Sequence, residues 1–210
     1  MKETYITGTI QAGSSRIPQV ATHLQLIDYL GAMMVRWSIN RNGYLVSPGL
    51  YAVGNPDSAS DVFVAANYKL SFDTLRKNLA GLNAWILVLD TRGINVWCAA
   101  GKGTFGTAEL VNRIRLTSLE MIVTHRRLIV PQLGAVGVSA HRVKKETGAV
   151  ESSAVKPAAT KSFTDISFSG TSIKANRGFT VKYGPVRASD IKKYLAAGYK
   201  TCLLYTSRCV

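Results

Sequence analysis

The chain has 210 residues, of which 47% are apolar and 18% charged, enough for one or two domains with a core of their own. This composition excludes disorder and coiled coil, and no apolar run approaches the roughly 18 residues of a membrane-spanning helix. The net charge of +14 is uneven: residues 1–112 carry 9 basic and 7 acidic side chains, residues 113–210 carry 17 and 5, so the second half suits an anionic partner or a solvated basic face.

In chain order, residues 1–30 show no period and read as strand and loop. Val35 to Ile39 alternates, Asn40-Arg41-Asn42-Gly43 has turn composition, and Tyr44-Leu45-Val46 returns, which predicts a β-hairpin. Ser47-Pro48-Gly49 and Gly54-Asn55-Pro56-Asp57 then punctuate the chain. Residues 1–56 are therefore read as an N-terminal strand and hairpin segment, and residues 57–200 as the main domain. Val62 to Ala66 is an apolar run, Phe72 to Leu79 has helical character, and Ala84 to Leu89 is a second run. Gly101 to Leu116 predicts one helix, with Phe105, Leu110, Val111 and Ile114 on a shared face. Leu128 to Pro131 and Phe179 to Tyr183 are two further short strands. Strands alternating with helices predict an α/β fold with a mainly parallel sheet. Ligands then bind beyond the carboxyl ends of the strands, which places Ala66-Asn67-Tyr68, Asp90 to Cys98, Pro131 to Gly134 and Gly184-Pro185 there. Residues 147–176, rich in Ser, Thr, Ala, Gly and Lys, read as a surface insertion.

The start Met1-Lys2-Glu3-Thr4 lacks a signal-peptide pattern, so a soluble chain made in the cytoplasm is expected. Cys98, Cys202 and Cys209 have no CxxC spacing, and His23, His125 and His141 form no close pair. That pattern disfavours a disulfide framework and a metal site built by this chain alone, so metal chemistry must arrive with a cofactor.

One stretch carries chemistry: Gly93 to Thr107, GINVWCAAGKGTFGT. Cys98 stands just before the predicted helix, whose positive end favours thiolate, and small residues follow it. Such a thiolate suits a nucleophile or a soft metal ligand; a free cysteine is equally a small packing residue. Nucleophilic catalysis would need His125 or His141 as base. Gly101, Gly103 and Gly106 match GxGxxG but do not directly follow a strand, so a dinucleotide site is disfavoured. No P-loop motif and no nucleic-acid-binding motif is present.

Asn95-Val96-Trp97-Cys98-Ala99-Ala100-Gly101-Lys102 closely resembles the cap-helix signature of the mercury-methylating corrinoid protein (HgcA) family. Tyr51 to Pro56, Ala66 to Leu70, Leu89-Asp90-Thr91, Pro131 to Ala135 and Tyr183 to Arg187 resemble the same family in the same order. The large subunit of the corrinoid iron–sulfur protein of acetyl-CoA synthesis is related to it but lacks the cysteine. The resemblance implies a Rossmann-like domain holding a cobalamin-type corrinoid base-off at the strand ends, with Cys98 as lower axial ligand of cobalt. A DxHxxG motif is absent, which disfavours a histidine ligand. Thiolate donation would make a cobalt-held methyl group more carbanion-like, the polarity that Hg(II) requires. Asn95, Val96, Trp97, Ala99, Ala100, Gly101, Lys102, Gly103 and Thr104 would form the cap around Cys98. Asn67, Tyr68, Lys69 and Leu70, the turn Gln132, Leu133, Gly134 and Ala135, and Gly184 with Pro185 would surround the macrocycle. The implied activity is a corrinoid-dependent methyltransferase giving methylmercury; the alternative is a corrinoid methyl carrier of one-carbon metabolism with another acceptor.

Implied partners are a ferredoxin-like iron–sulfur electron donor, a folate-type methyl donor, Hg(II) as substrate, and the cytoplasmic face of the inner membrane through a C-terminal domain that this chain lacks. Residues 147–176 exceed what the family implies between its blocks. Cys202 to Val210 does not resemble the family; residues 201–210 are expected to be a non-native tail from sequence assembly, leaving Cys202 and Cys209 without function.

Overall fold

Period-two and all-apolar runs become the strands of one sheet: Ile6–Ala12 (β1), Ser15–Val20 (β2), Gly49–Val53 (β3), Val62–Ala66 (β4), Ala84–Leu89 (β5), Arg127–Val130 (β6) and Thr180–Tyr183 (β7). The computed structural model describes residues 4–13, 15–39, 43–148 and 178–200. The expected insertion at 147–176 and the expected tail at 201–210 lie almost entirely outside them. The helices are Leu26–Arg36 (α1), Lys69–Asn78 (α2), Val96–Gly101 (α3), Thr107–Leu116 (α4), Leu119–Ile122 (α5), Ala140–Gly148 (α6) and Ile191–Ala196 (α7).

The strand order is β1-β2-β3-β5-β4-β6-β7. β5, β4, β6 and β7 run parallel, β3 pairs antiparallel with β5, and β1 and β2 form an antiparallel hairpin at the edge. The expected α/β architecture is thus present. Every residue of β4 and β5 is buried, as two-sided packing of a parallel sheet requires. One face carries α2 and α7, with Phe72, Leu79, Ile191 and Tyr194 against Phe63, Ile86 and Val88. On the other, Leu110, Ile114, Leu119 and Val143 pack with Trp85, Leu87 and Leu128.

The predicted hairpin at 35–46 is corrected. The hairpin is β1–β2, and Val35 instead ends the inward stripe of α1, while Leu45 makes one isolated bridge to Tyr68. Alternation there misleads because the helix faces inward with Asp28, Gly31 and Val35, at i, i+3 and i+7. Asp28 and Val35 are buried, and a Cβ on Gly31 would lie 2.7 Å from the Tyr44 ring. Leu26, Ile27, Tyr29, Leu30, Met33, Met34 and Trp37 are left exposed.

The predicted helix from Gly101 to Leu116 is also corrected, because it is two helices. Gly103 takes a left-handed φ of 79°, and a Cβ on Gly106 would meet the Gly103 carbonyl oxygen at 2.8 Å. The chain therefore turns between α3 and α4. Phe105, Leu110, Val111 and Ile114 share a buried face as expected. α6 reaches Gly148, so helix replaces the start of the expected insertion.

Candidate functional site

From β4 the chain crosses to β5 on one side, then returns over the sheet to β6 on the other, which makes the β4/β6 boundary the topological switch point. A crevice of about 610 Å³ opens there. Its floor includes Phe63, Ala65 and Ile129; its walls are Tyr68, Leu70, Ser71 and Thr74 after β4, Pro131 and Leu133 after β6, Gly184, Pro185 and Val186 after β7, and Asn95, Val96 and Trp97 at the start of α3. The lining is mostly apolar, with side-chain polar groups on Tyr68, Ser71, Thr74, Asn95 and the indole N–H of Trp97. Such a surface suits a broad flat ligand whose centre is apolar and whose rim is polar.

The turn from β5 into α3 is held by Asn67, buried at the end of β4. Its Oδ1 accepts the Thr91 amide at 3.1 Å and the Gly93 amide at 2.9 Å, and its Nδ2 donates to Asp90 Oδ1 at 3.2 Å. The Thr91 hydroxyl lies 2.8 Å from the same Oδ1 and 2.7 Å from the Ile94 carbonyl. Arg92 and Gly93 between them adopt φ of 54° and 72°. Asn95 then caps α3, its Oδ1 accepting the Cys98 amide at 2.9 Å. Cys98 therefore lies inside the first turn of α3 and not ahead of a helix; an Asn at this place is the signal that sets the earlier start. The Cys98 thiol is free and half-buried, one turn beyond Asn95, and does not itself line the crevice, whose wall on this helix is Asn95, Val96 and Trp97.

Of the residues expected at the cofactor, Tyr68, Leu70, Asn95, Val96, Trp97, Leu133, Gly184 and Pro185 meet on the crevice wall. The others stand around it. Ala99 and Ala100 are buried in the core, facing the sheet, while Gly101, Lys102 and Gly103 are exposed at the far end of α3. The Thr104 hydroxyl lies 3.4 Å from the Ala99 carbonyl. In the turn after β6, Gln132 is exposed, Ala135 is half-buried, and Gly134 backs onto Phe105, whose Cε1 would be 2.5 Å from an added Cβ. Sequence reasoning missed Ser71, Thr74, Leu75, Ala188 and Ile191 on the walls, and Phe63, Val64, Ala65 and Ile129 on the floor. Thr74 follows Leu70 by four residues, a helical spacing that could have found it.

Lys69 is turned away into an ion-pair ring beneath α1. Its Nζ is 2.6 Å from Asp28 Oδ1 and 2.7 Å from Asp73 Oδ2, while Arg76 meets Asp28 Oδ2 through Nη2 and Asp73 Oδ1 through Nε, each at 2.7 Å. Burial pushes the Asp28 carboxyl up, but hydrogen bonds from Lys69, the Gln25 amide and Arg76 outweigh it and hold Asp28 below the usual carboxylate range. Burial likewise opposes the Lys69 charge, and hydrogen bonds to Asp28 and Asp73 overcome it, raising Lys69 above an ordinary lysine.

Among the described residues no helix is long and apolar enough to cross a membrane. The profile of the family described as CO dehydrogenase/acetyl-CoA synthase delta subunit (CdhD) matches residues 30–166. Curated relatives include the acetyl-CoA decarbonylase/synthase complex subunit gamma of Archaeoglobus fulgidus, 35% identical over 92 residues, or 43% of this chain and 20% of that protein. The subunit gamma of Methanopyrus kandleri is 36% identical over 88 residues (41% and 19%), and that of Methanocaldococcus jannaschii 34% over 97 (45% and 20%). The matched part spans about a fifth of these relatives. These similarities support a related corrinoid-protein family, that of acetyl-CoA decarbonylase/synthase, and do not support the mercury-methylating assignment itself. With its profile matched over more than half the chain, from before β3 through α6, this protein belongs to the CO dehydrogenase/acetyl-CoA synthase delta subunit family.

Proposed function

We propose that this chain is a corrinoid-binding domain that carries a methyl group in one-carbon metabolism, with the corrinoid seated in the crevice between β4, β6 and α3. The observation that carries the reading is the apolar crevice at the switch point, walled by Tyr68, Leu70, Asn95, Val96, Trp97, Leu133, Gly184 and Pro185. When bound, the corrinoid supplies a cobalt that takes up and gives up methyl. The chain's own residues provide a flat apolar seat, exclude water beneath it and offer polar groups at its rim. The relatives are named as subunits of a complex, which supports protein partners here; a methyl donor and an iron–sulfur electron donor are the partners that methyl carriage on cobalt would call for.

A second reading, methyl transfer to Hg(II), is favoured by Cys98, a free, half-buried thiol on the helix bordering the crevice. As a thiolate, Cys98 would be the residue to hold cobalt, and its donation would raise electron density on a cobalt-held methyl group. Both readings are tested by absorption spectra of the chain loaded with base-off cobinamide, beside Cys98→Ala. Both proteins should bind, and a charge-transfer band confined to the parent assigns Cys98 to cobalt. Identical spectra would remove Cys98 from the metal and leave the carrier reading alone, whereas no binding by either protein overturns both. Given a loaded, methylated protein, methylmercury formed from Hg(II) only with Cys98 present selects the second reading.

A further inference from the structure

We infer that Asn67 is a positioning residue for Cys98, acting through the turn between β5 and α3 and not by touching a cofactor. Asn67 is 4% exposed, and its side chain does not line the crevice. Its carboxamide is committed to one task. Oδ1 receives the amides of Thr91 and Gly93, which flank Arg92, while Nδ2 holds the Asp90 carboxylate that also accepts the Arg92 amide at 3.0 Å. Arg92 with φ of 54° is a conformation that a residue bearing a Cβ adopts only when its surroundings impose it. The imposing group is Asn67, which reaches across from the neighbouring strand β4.

The constraint passes to Cys98 by a short covalent and hydrogen-bonded path. The Thr91 hydroxyl lies 2.7 Å from the Ile94 carbonyl, and the Ile94 amide returns to the Thr91 carbonyl at 3.2 Å. Asn95 follows directly and caps the Cys98 amide. Without Asn67 the left-handed turn relaxes toward ordinary φ, the start of α3 shifts, and Cys98 shifts with it. Asp90 does not duplicate this role, since its Oδ1 is taken by the Arg92 amide and by Asn67 Nδ2, while the Thr91 and Gly93 amides go to Asn67.

This inference rests on Cys98 having a role at the crevice only for its consequence; the positioning itself is testable without cofactor. The rate of Cys98 alkylation by iodoacetamide is followed by peptide mass spectrometry in the parent chain, in Asn67→Ala, and in Thr91→Val, which removes only the hydroxyl link. Phe72→Leu, on the opposite face of the sheet, serves as a general destabilisation control. The expected result is at least a threefold change in Cys98 alkylation in Asn67→Ala, a smaller change of the same sign in Thr91→Val, and the parental rate in Phe72→Leu. Parental Cys98 rates in folded Asn67→Ala and in Thr91→Val would overturn it, as would an equal change in Phe72→Leu. If Asn67→Ala does not fold, Thr91→Val against Phe72→Leu decides. Cobinamide spectra of the same proteins separate the two ideas. Altered thiol reactivity with no Cys98-dependent band in the parent keeps Asn67 as the positioning residue and removes Cys98 from cobalt.

Discussion

At the scale of single residues, the Asp28–Lys69–Asp73–Arg76 ring is the most consequential polar feature. Two acids and two bases alternate with Arg76 fully buried, and the Tyr44 hydroxyl donates to the Asp28 carbonyl at 3.3 Å. Removing one partner leaves the remaining three with one uncompensated buried charge, which costs about 3–5 kcal/mol. Arg76→Leu should therefore lower stability by that order in urea unfolding, whereas Arg142→Leu, from an exposed pair, should change it by less than about 1 kcal/mol. The ring also sets a pH dependence. Asp28 is depressed in the folded protein, so its contribution is present above the unfolded value near 3.9 and disappears as pH falls through the lower folded value. Lys69 is raised, so its contribution is full below about 10.4 and is lost as pH climbs through the higher folded value. Asp28→Asn should flatten the acid limb of the stability profile below about pH 4, as followed by urea midpoints against pH. An acid limb as steep as the parent's would show that other carboxylates govern it.

At the scale of elements, strands were more legible than helix boundaries. β4 and β5 coincide with the apolar runs because two-sided burial leaves no polar position to confuse the reading, and β6 matches over Leu128 to Val130 with the half-buried Arg127 added at its start. Helix α1 was hidden because its inward stripe holds Asp28 and Gly31 while Leu30, Met33 and Trp37 face outward, the reverse of an amphipathic surface helix. α6 was hidden for another reason: Val143 is its single buried residue, so it carries no apolar period. The start of α3 was present in the sequence as the cap Asn95 and its break from α4 as the left-handed Gly103, but both were absorbed into a motif reading. Asn95→Ala should cost about 1 kcal/mol as a lost N-cap. It should also raise hydrogen exchange at the Cys98 amide, leaving β5 amides protected. Unchanged Cys98 protection would mean that tertiary contacts of Ala99 and Ala100, not the cap, hold α3.

At the scale of the whole molecule, the place of the crevice was legible and its complete lining was not. The rule that ligands sit beyond parallel strand ends located Tyr68, Asn95, Leu133 and Gly184 from four separate runs of sequence. Ile191 was out of reach because α7 returns to the crevice only through tertiary packing, with no motif of its own. The crevice itself can be tested as the corrinoid seat. Leu133 lies on its wall and is 40% exposed, while Val136, in the same stretch, is 83% exposed and off the wall. Replacing either with arginine leaves the core intact, so each variant should unfold within about 0.5 kcal/mol of the parent. Leu133→Arg places an elongated cation where a flat apolar ligand would rest, and should weaken cobinamide binding at least about tenfold, or about 1.4 kcal/mol. Val136→Arg should bind as the parent does. A ligand at about a hundred times its Kd stabilises the folded state by roughly 2.7 kcal/mol, so thermal unfolding reads the same contrast independently, with the ligand-induced rise in Tm shrinking only in Leu133→Arg. Equal binding and equal Tm shifts in the two variants would place the corrinoid outside this crevice.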